Sequence, residues 1–171
     1  MALGDRLRTA LAPDVLRLLT LAGDTASHMG FSLFLVGGFV RDLLLGLPNY
    51  DLDLVVEGDA IALANRLADS YGGRTMSHAR FGTAKWQVTP EQKELQLTRP
   101  LALDLVTART EFYDHPAALP QVEASSLRHD LYRRDFTINT MAICLDRDRY
   151  GELLDFYGGE RDLHDKLVRA L

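Results

Sequence analysis

The chain has 171 residues, 47% of them hydrophobic and 25% charged, with a net charge of −5 and a pI near 5.5. That length can bury one well-formed core, and the acidic balance excludes the basic footprint of a free-standing nucleic-acid binder. Cys144 is the lone cysteine, so no internal disulfide can form and a reducing, cytoplasmic setting is expected.

In chain order, Asp5, Asp14 and Arg17 interrupt the N-terminal apolar stretches before a signal peptide could form. No run approaches the roughly 20 apolar residues that cross a bilayer. Residues 14–29 read as a helix, with Pro13-Asp14 as its start, Val15, Leu18, Leu19 and Ala22 as its apolar stripe, and Gly30 as its stop. Phe31 to Val36 is a nearly continuous apolar run, as a central strand would be, and it ends in Gly37-Gly38. A short amphipathic helix, Val40 to Leu45, follows. A turn at Leu47-Pro48-Asn49 then leads into a strand carrying Asp51 and Asp53.

Residues 58–72 predict another helix, with Ile61, Ala62, Leu67 and Ala68 buried. Thr75–Ser77 and Thr83–Val88 predict a hairpin, Glu91–Leu97 a polar edge strand, and Leu101–Thr107 an apolar strand interrupted by Asp104. Glu111 to Ala124, with His115-Pro116 and Leu119-Pro120, reads as a long functional loop. Ser125-Ser126 caps a helix bearing Arg128, Asp130, Arg133, Arg134, Asp135 and Asn139. In the tail, Leu163, Leu167 and Leu171 fall at helical spacing after Gly158-Gly159.

Four features carry chemistry. A Gly-Gly pair between a strand and a helix lets backbone N–H groups approach an anion, although such a pair alone serves turns more often than sites. Asp51 and Asp53 alternate onto one strand face, where two carboxylates repel unless a cation or proton intervenes. Asp104 lies in an apolar strand, where a charge must be paired or coordinate something. If its strand neighbours that of Asp53, three carboxylates converge on a hard cation such as Mg2+. Finally, Asp130 and Arg134 have the spacing of a surface ion pair, and Asp135 and Asn139 the spacing of one polar helix face able to meet ribose hydroxyls. A neighbouring arginine there could reach phosphate. The histidines show no ligand spacing, and Trp86 and Tyr113 read as core or loop anchors.

These residues resemble a known family. Leu35-Val-Gly-Gly-Phe-Val-Arg-Asp with Asp51-Leu-Asp53, then Asp104-Leu-Val-Thr-Ala-Arg109, then Arg133-Arg-Asp-Phe-Thr-Ile-Asn139 look like the catalytic head of the class II tRNA nucleotidyltransferases (CCA-adding enzymes) and bacterial poly(A) polymerases. The resemblance implies an α+β, DNA polymerase beta-like head with a small, mostly antiparallel sheet flanked by helices. It divides the chain into an N-terminal helical segment (1–29), the head (30–160) and the start of a truncated neck helix (161–171).

It also implies two Mg2+ ions on Asp51, Asp53 and Asp104. The incoming CTP or ATP would lie on Gly37, Gly38 and Arg41, with Arg133, Arg134, Asp135 and Asn139 on the nucleotide and its ribose. Arg109 would help position substrate. The partner implied is a tRNA or other RNA 3′ end, held mainly by segments outside this chain, with no membrane involved. Phe39 and Thr140 depart from the small residues usual in the family, and the neck motif that selects the base does not occur. The readings kept open are CCA-, A- or poly(A)-adding heads, transfer of a nucleotide to a protein or small molecule, and a non-catalytic nucleotide sensor.

Overall fold

A computed structural model describes residues 2–112 and 121–171 of the chain. Tyr113, His115-Pro116 and Leu119-Pro120 of the expected loop lie outside the described residues.

The N-terminal helical segment is two helices, α1 (Leu3–Ala10) and α2 (Pro13–His28). Pro13 occupies the first turn of α2, where its missing N–H leaves no bond unmade. Leu7 of α1 and Leu18, Leu19 and Ala22 of α2 are buried. The chain continues through β1 (Ser32–Val36), α3 (Gly38–Leu45), β2 (Asp53–Glu57) and α4 (Ala60–Tyr71). Asp59 caps α4 by accepting from the backbone of Ile61 and Ala62. Its buried stripe is Ala60, Leu63, Ala64 and Leu67, rotated from the expected one, with Ile61 and Ala68 only partly covered.

The predicted hairpin is β3 (Arg74–His78) with β4 (Thr83–Val88), and β5 (Leu101–Thr107) is the strand expected there. Glu91–Leu97 is not a strand. The Gln92 side chain accepts from the Thr89 N–H at 2.7 Å, and this local bond folds the segment into a turn. The flanks of the expected loop pair as a separate ribbon, β6 (Arg109–Phe112) with β7 (Gln121–Ala124).

After α5 (Leu127–Tyr132), β8 (Met141–Cys144), β9 (Leu153–Asp155) and α6 (Gly159–His164), one sheet of seven strands has the order β3-β4-β5-β2-β1-β8-β9. Every neighbouring pair is antiparallel except β2 and β5. Strand alternation sorts the core onto two faces. Leu33, Leu35, Leu54, Val56, Leu103, Leu105 and Ile143 pack with α2 and α4, and Trp86 joins them as the core anchor expected. Phe34, Val36, Val55, Ala142 and Cys144 meet Leu127 and Leu131 of α5 on the other face. Burial pushes the Cys144 thiol up to about 11, as befits a small buried hydrophobe. Among the described residues no helix is long and apolar enough to cross a membrane.

Two predicted helices break for one reason. The helix capped by Ser126 ends at Tyr132, because Phe136 is extended (φ −131°, ψ 142°) and bridges Ala170 of the tail. The tail helix ends at His164. Lys166 turns left-handed (φ 57°), the Leu167 N–H closes onto the Asp162 carbonyl at 2.8 Å, and the chain runs back so that the Thr137 N–H reaches the Arg169 carbonyl at 3.0 Å. Leu163, Leu167 and Leu171 therefore share no helical stripe. A pairing between distant segments replaces what each would form alone.

Candidate functional site

Gly37, between β1 and α3, has φ 76° and ψ −139°, a conformation a side chain rarely adopts, and a Cβ there would lie 2.6 Å from Arg134 Nη1. The same Cβ would be 3.5 Å from Asp53 Oδ2, so a guanidinium and a carboxylate close over one bare backbone. Gly38 is less demanding, since its added Cβ would meet Arg41 Nη2 at 3.6 Å. Phe39 does not crowd the turn; it points into the core and is 3% exposed. Thr140 is buried, and its hydroxyl donates to the Thr137 carbonyl at 2.7 Å.

Asp53 is the first residue of β2, whereas Asp51 precedes the strand, so the two do not share a strand as expected. Pairing of Leu54 with Leu105 in parallel register places Asp53 beside Asp104, on the sheet face opposite Leu54 and Leu103. Burial raises the Asp53 pKa from its ordinary value; Arg134 opposes this, while the charges of Asp51 and Asp104 add to it. The three carboxylates are thus electrostatic neighbours. They are not drawn into a closed cage as they stand: among the described residues no ready-made cluster of three acids, histidines or cysteines is present. Asp104 is exposed and instead meets Lys85 Nζ at 3.2 Å. An oxygen-only donor set whose members repel fits a hard divalent cation.

Beside these acids, Gly38, Arg41, Arg133, Arg134, Asp135 and Asn139 line one recess of about 460 Å3. Arg41 Nη1 donates to Asn139 Oδ1 at 2.9 Å, joining α3 to the segment after α5. Burial lowers the Arg134 pKa, opposed by Asp130 and Asp53 and assisted by Arg133. Its guanidinium stays charged at any physiological pH. Asp135 and Asn139 share this recess without sharing a helix face, because the helix ends before them. Arg109 is elsewhere: it begins β6, and its Nη1 donates to the Phe81 carbonyl at 2.8 Å.

Four neighbours of these residues carry no sequence expectation of the contact each makes. Asp130 is not a surface partner of Arg134. It is fully buried, and its Oδ1 accepts from Arg133 Nε and from the Arg109 backbone N–H, each at 3.2 Å. The signal was present, for Leu127, Asp130 and Leu131 fall on one helical stripe. In the sequence Asp42 is only the end of the glycine motif and Asn49 only a turn residue. Lys85 carries no local signal, since its pairing with Asp104 comes from the register of β4 on β5.

The sequence model of the poly A polymerase head domain family matches residues 33–169. An A-adding tRNA nucleotidyltransferase of Geobacter sulfurreducens is 46% identical over 93% of this chain and 17% of its own length. One of Halalkalibacterium halodurans is 45% identical over 98% of this chain and 37% of its own. The chain therefore spans well under half the length of these relatives. A solved CCA-adding enzyme in an apo form matches 100% of this chain and 38% of that one, with 42% identity and a TM-score of 0.84.

Proposed function

The chain belongs to the poly A polymerase head domain family, and from that membership we propose that it is the nucleotidyltransferase head of a tRNA-processing enzyme. It would transfer a nucleoside monophosphate from ATP or CTP to an RNA 3′ hydroxyl. The hydroxyl oxygen gives up its proton to solvent and forms a new ester bond at the α-phosphorus, the bond from that phosphorus to the bridging oxygen breaks, and pyrophosphate leaves. ATP is the first donor to test, because the two relatives named above are A-adding enzymes. The RNA partner is a tRNA 3′ end, and the compartment is the cytoplasm.

The observation that carries this reading is the meeting of Asp53 and Arg134 over Gly37, with the acids on one side and the arginine-lined recess on the other. Arg41, Arg133 and Arg134 would take the triphosphate as charge-assisted donors, with the bare backbone of Gly37 and Gly38 beside it. Asp135 and Asn139 would receive the ribose. Arg109, set in the ribbon by Asp130, would act on the substrate's position from outside the recess. Asp51, Asp53 and Asp104 would hold two Mg2+ ions, which supply charge neutralisation at the attacking and leaving oxygens when bound.

Calorimetry of ATP binding with and without Mg2+ tests the reading. The expected result is Mg2+-dependent binding that is lost in the double variant Asp51→Ala, Asp53→Ala. Unchanged Mg2+-dependent binding in that variant would overturn the assignment of the acids. Pyrophosphate release with ATP and a tRNA ending in CC, measured on this chain and on a version extended to the length of its relatives, separates the chemistry from RNA capture.

A further inference from the structure

Asp51 is the least supported of the three acids. It is exposed, it precedes β2, and no ladder bond of the sheet fixes it. What holds it is a chain of side chains. The Asp51 N–H donates to Asn49 Oδ1 at 2.8 Å, and Asn49 Nδ2 donates to Asp42 Oδ2 at 2.7 Å. The other oxygen of that carboxylate, Oδ1, accepts from Arg41 Nε at 2.8 Å, and Arg41 Nη1 reaches Asn139 Oδ1 at 2.9 Å.

Asp42 also fixes the start of the turn, because its backbone carbonyl accepts the Leu47 N–H at 2.8 Å beyond the left-handed Gly46 that closes α3. The relay thus runs unbroken from a residue lining the arginine recess to the acid in front of β2. Asn49 is suited to its middle place. An amide donates with its NH2 and accepts with its carbonyl oxygen, the two roles this middle place requires.

We propose that Asp42 and Asn49 are positioning residues that aim Asp51 at the cation and tie its place to that of Arg41. The proposal rests on the reading of Asp51 as a cation ligand given above. Neither residue need touch a substrate. Asn49 sets the turn of backbone from which the carboxylate projects, and Asp42 anchors Asn49 to α3. Arg41 holds the Asp42 carboxylate below its ordinary pKa, with Asn49 contributing, so it stays ionised and accepting.

The test is Mn2+ binding to this chain without nucleotide, read from the electron paramagnetic resonance of the free ion, alongside thermal unfolding. Asn49 lies outside every regular element, so Asn49→Ala removes no helix or ladder bond. Loss of such an outer-shell partner typically weakens metal affinity about 10-fold or more. Asn49→Ala should therefore weaken Mn2+ binding by about 10-fold at an unchanged melting temperature, and Asp42→Asn should weaken it as much with a lowered melting temperature at pH 7, since the ion pair with Arg41 goes too. Wild-type Mn2+ affinity in Asn49→Ala, with affinity lost in Asp51→Ala, overturns the relay and leaves the proposed function standing. A shifted melting temperature with wild-type Mn2+ affinity overturns it too, since that is a merely structural role. Wild-type affinity in Asp51→Ala removes the reading of the acid itself, and the relay falls with it.

Discussion

Lys85 on β4 and Asp104 on β5 stand opposite each other in the antiparallel register, with Nζ and Oδ1 3.2 Å apart. A cation bound by the acids must compete with this ammonium for Asp104. The pair is largely exposed, and such pairs are worth about 0–1 kcal/mol. Lys85→Met should therefore tighten Mn2+ binding by no more than about fivefold. Its unfolding free energy should stay within about 1 kcal/mol of wild type in urea titration. Weaker metal binding in this variant would mean that Lys85 assists the site rather than competing for it.

Gly37 and Gly38 separate cleanly. Gly37→Ala forces a methyl group to 2.6 Å from Arg134 at a positive φ, a strain of order 1–3 kcal/mol before Arg134 moves. Urea unfolding should show at least that loss, and ATP affinity should fall with the displaced guanidinium. Gly38→Ala sits at a helix start with ordinary contacts. It should leave stability unchanged or raise it by up to about 1 kcal/mol. Equal losses in the two variants would contradict the geometry of the turn.

Asp53 is exposed at the head of β2, so charging it costs the fold only a solvent-screened amount. Its folded-state pKa lies above its unfolded value, so the folded chain binds this proton more tightly. Stability from this group is present at pH below the unfolded value and is lost as pH rises through the folded one. At pH 7 without metal, Asp53→Asn should raise the melting temperature, and the gain should shrink as pH falls through the folded-state value and vanish below the unfolded one. Mg2+ should stabilise wild type and not this variant. A lower melting temperature for Asp53→Asn at pH 7 would show that its pairing with Arg134 outweighs the repulsion.

Asp162 does the opposite. Its Oδ2 accepts from the Thr137 hydroxyl at 2.7 Å, and its two oxygens take Arg169 at 3.0 and 3.2 Å, pinning the tail beside residues 135–137. Arg169 foremost, then Thr137, hold its pKa below the ordinary aspartate value. The stability it contributes is present above the unfolded value and lost as pH falls through the lower folded one. Asp162→Asn should lower the melting temperature at pH 7 and flatten the acid limb of the stability profile. Hydrogen exchange should quicken at the Thr137 and Leu171 amides, which bond across this junction.

What the sequence by itself determined is local. Gly37 at a strand end, the Asp51-x-Asp53 spacing, the apolar run around Asp104, the Ser126 cap and the Pro13 start depend on neighbours a few residues away. So do the strand and helix periods that place Leu54, Leu103 and Leu18 inside. Tertiary structure decided the rest. It broke the helix expected through Asn139 and the tail helix, because Phe136 and Ala170 face each other in a bridge whose bonds run from the Thr137 N–H to the Arg169 carbonyl and from the Leu171 N–H to the Asp135 carbonyl. It turned Asp130 inward to take two arginines, set Lys85 on Asp104, and linked Asp51 to Asn139 through Asp42 and Arg41. A polar side chain's partner is fixed by which strands lie adjacent and in what register, and that choice belongs to the packed core as a whole.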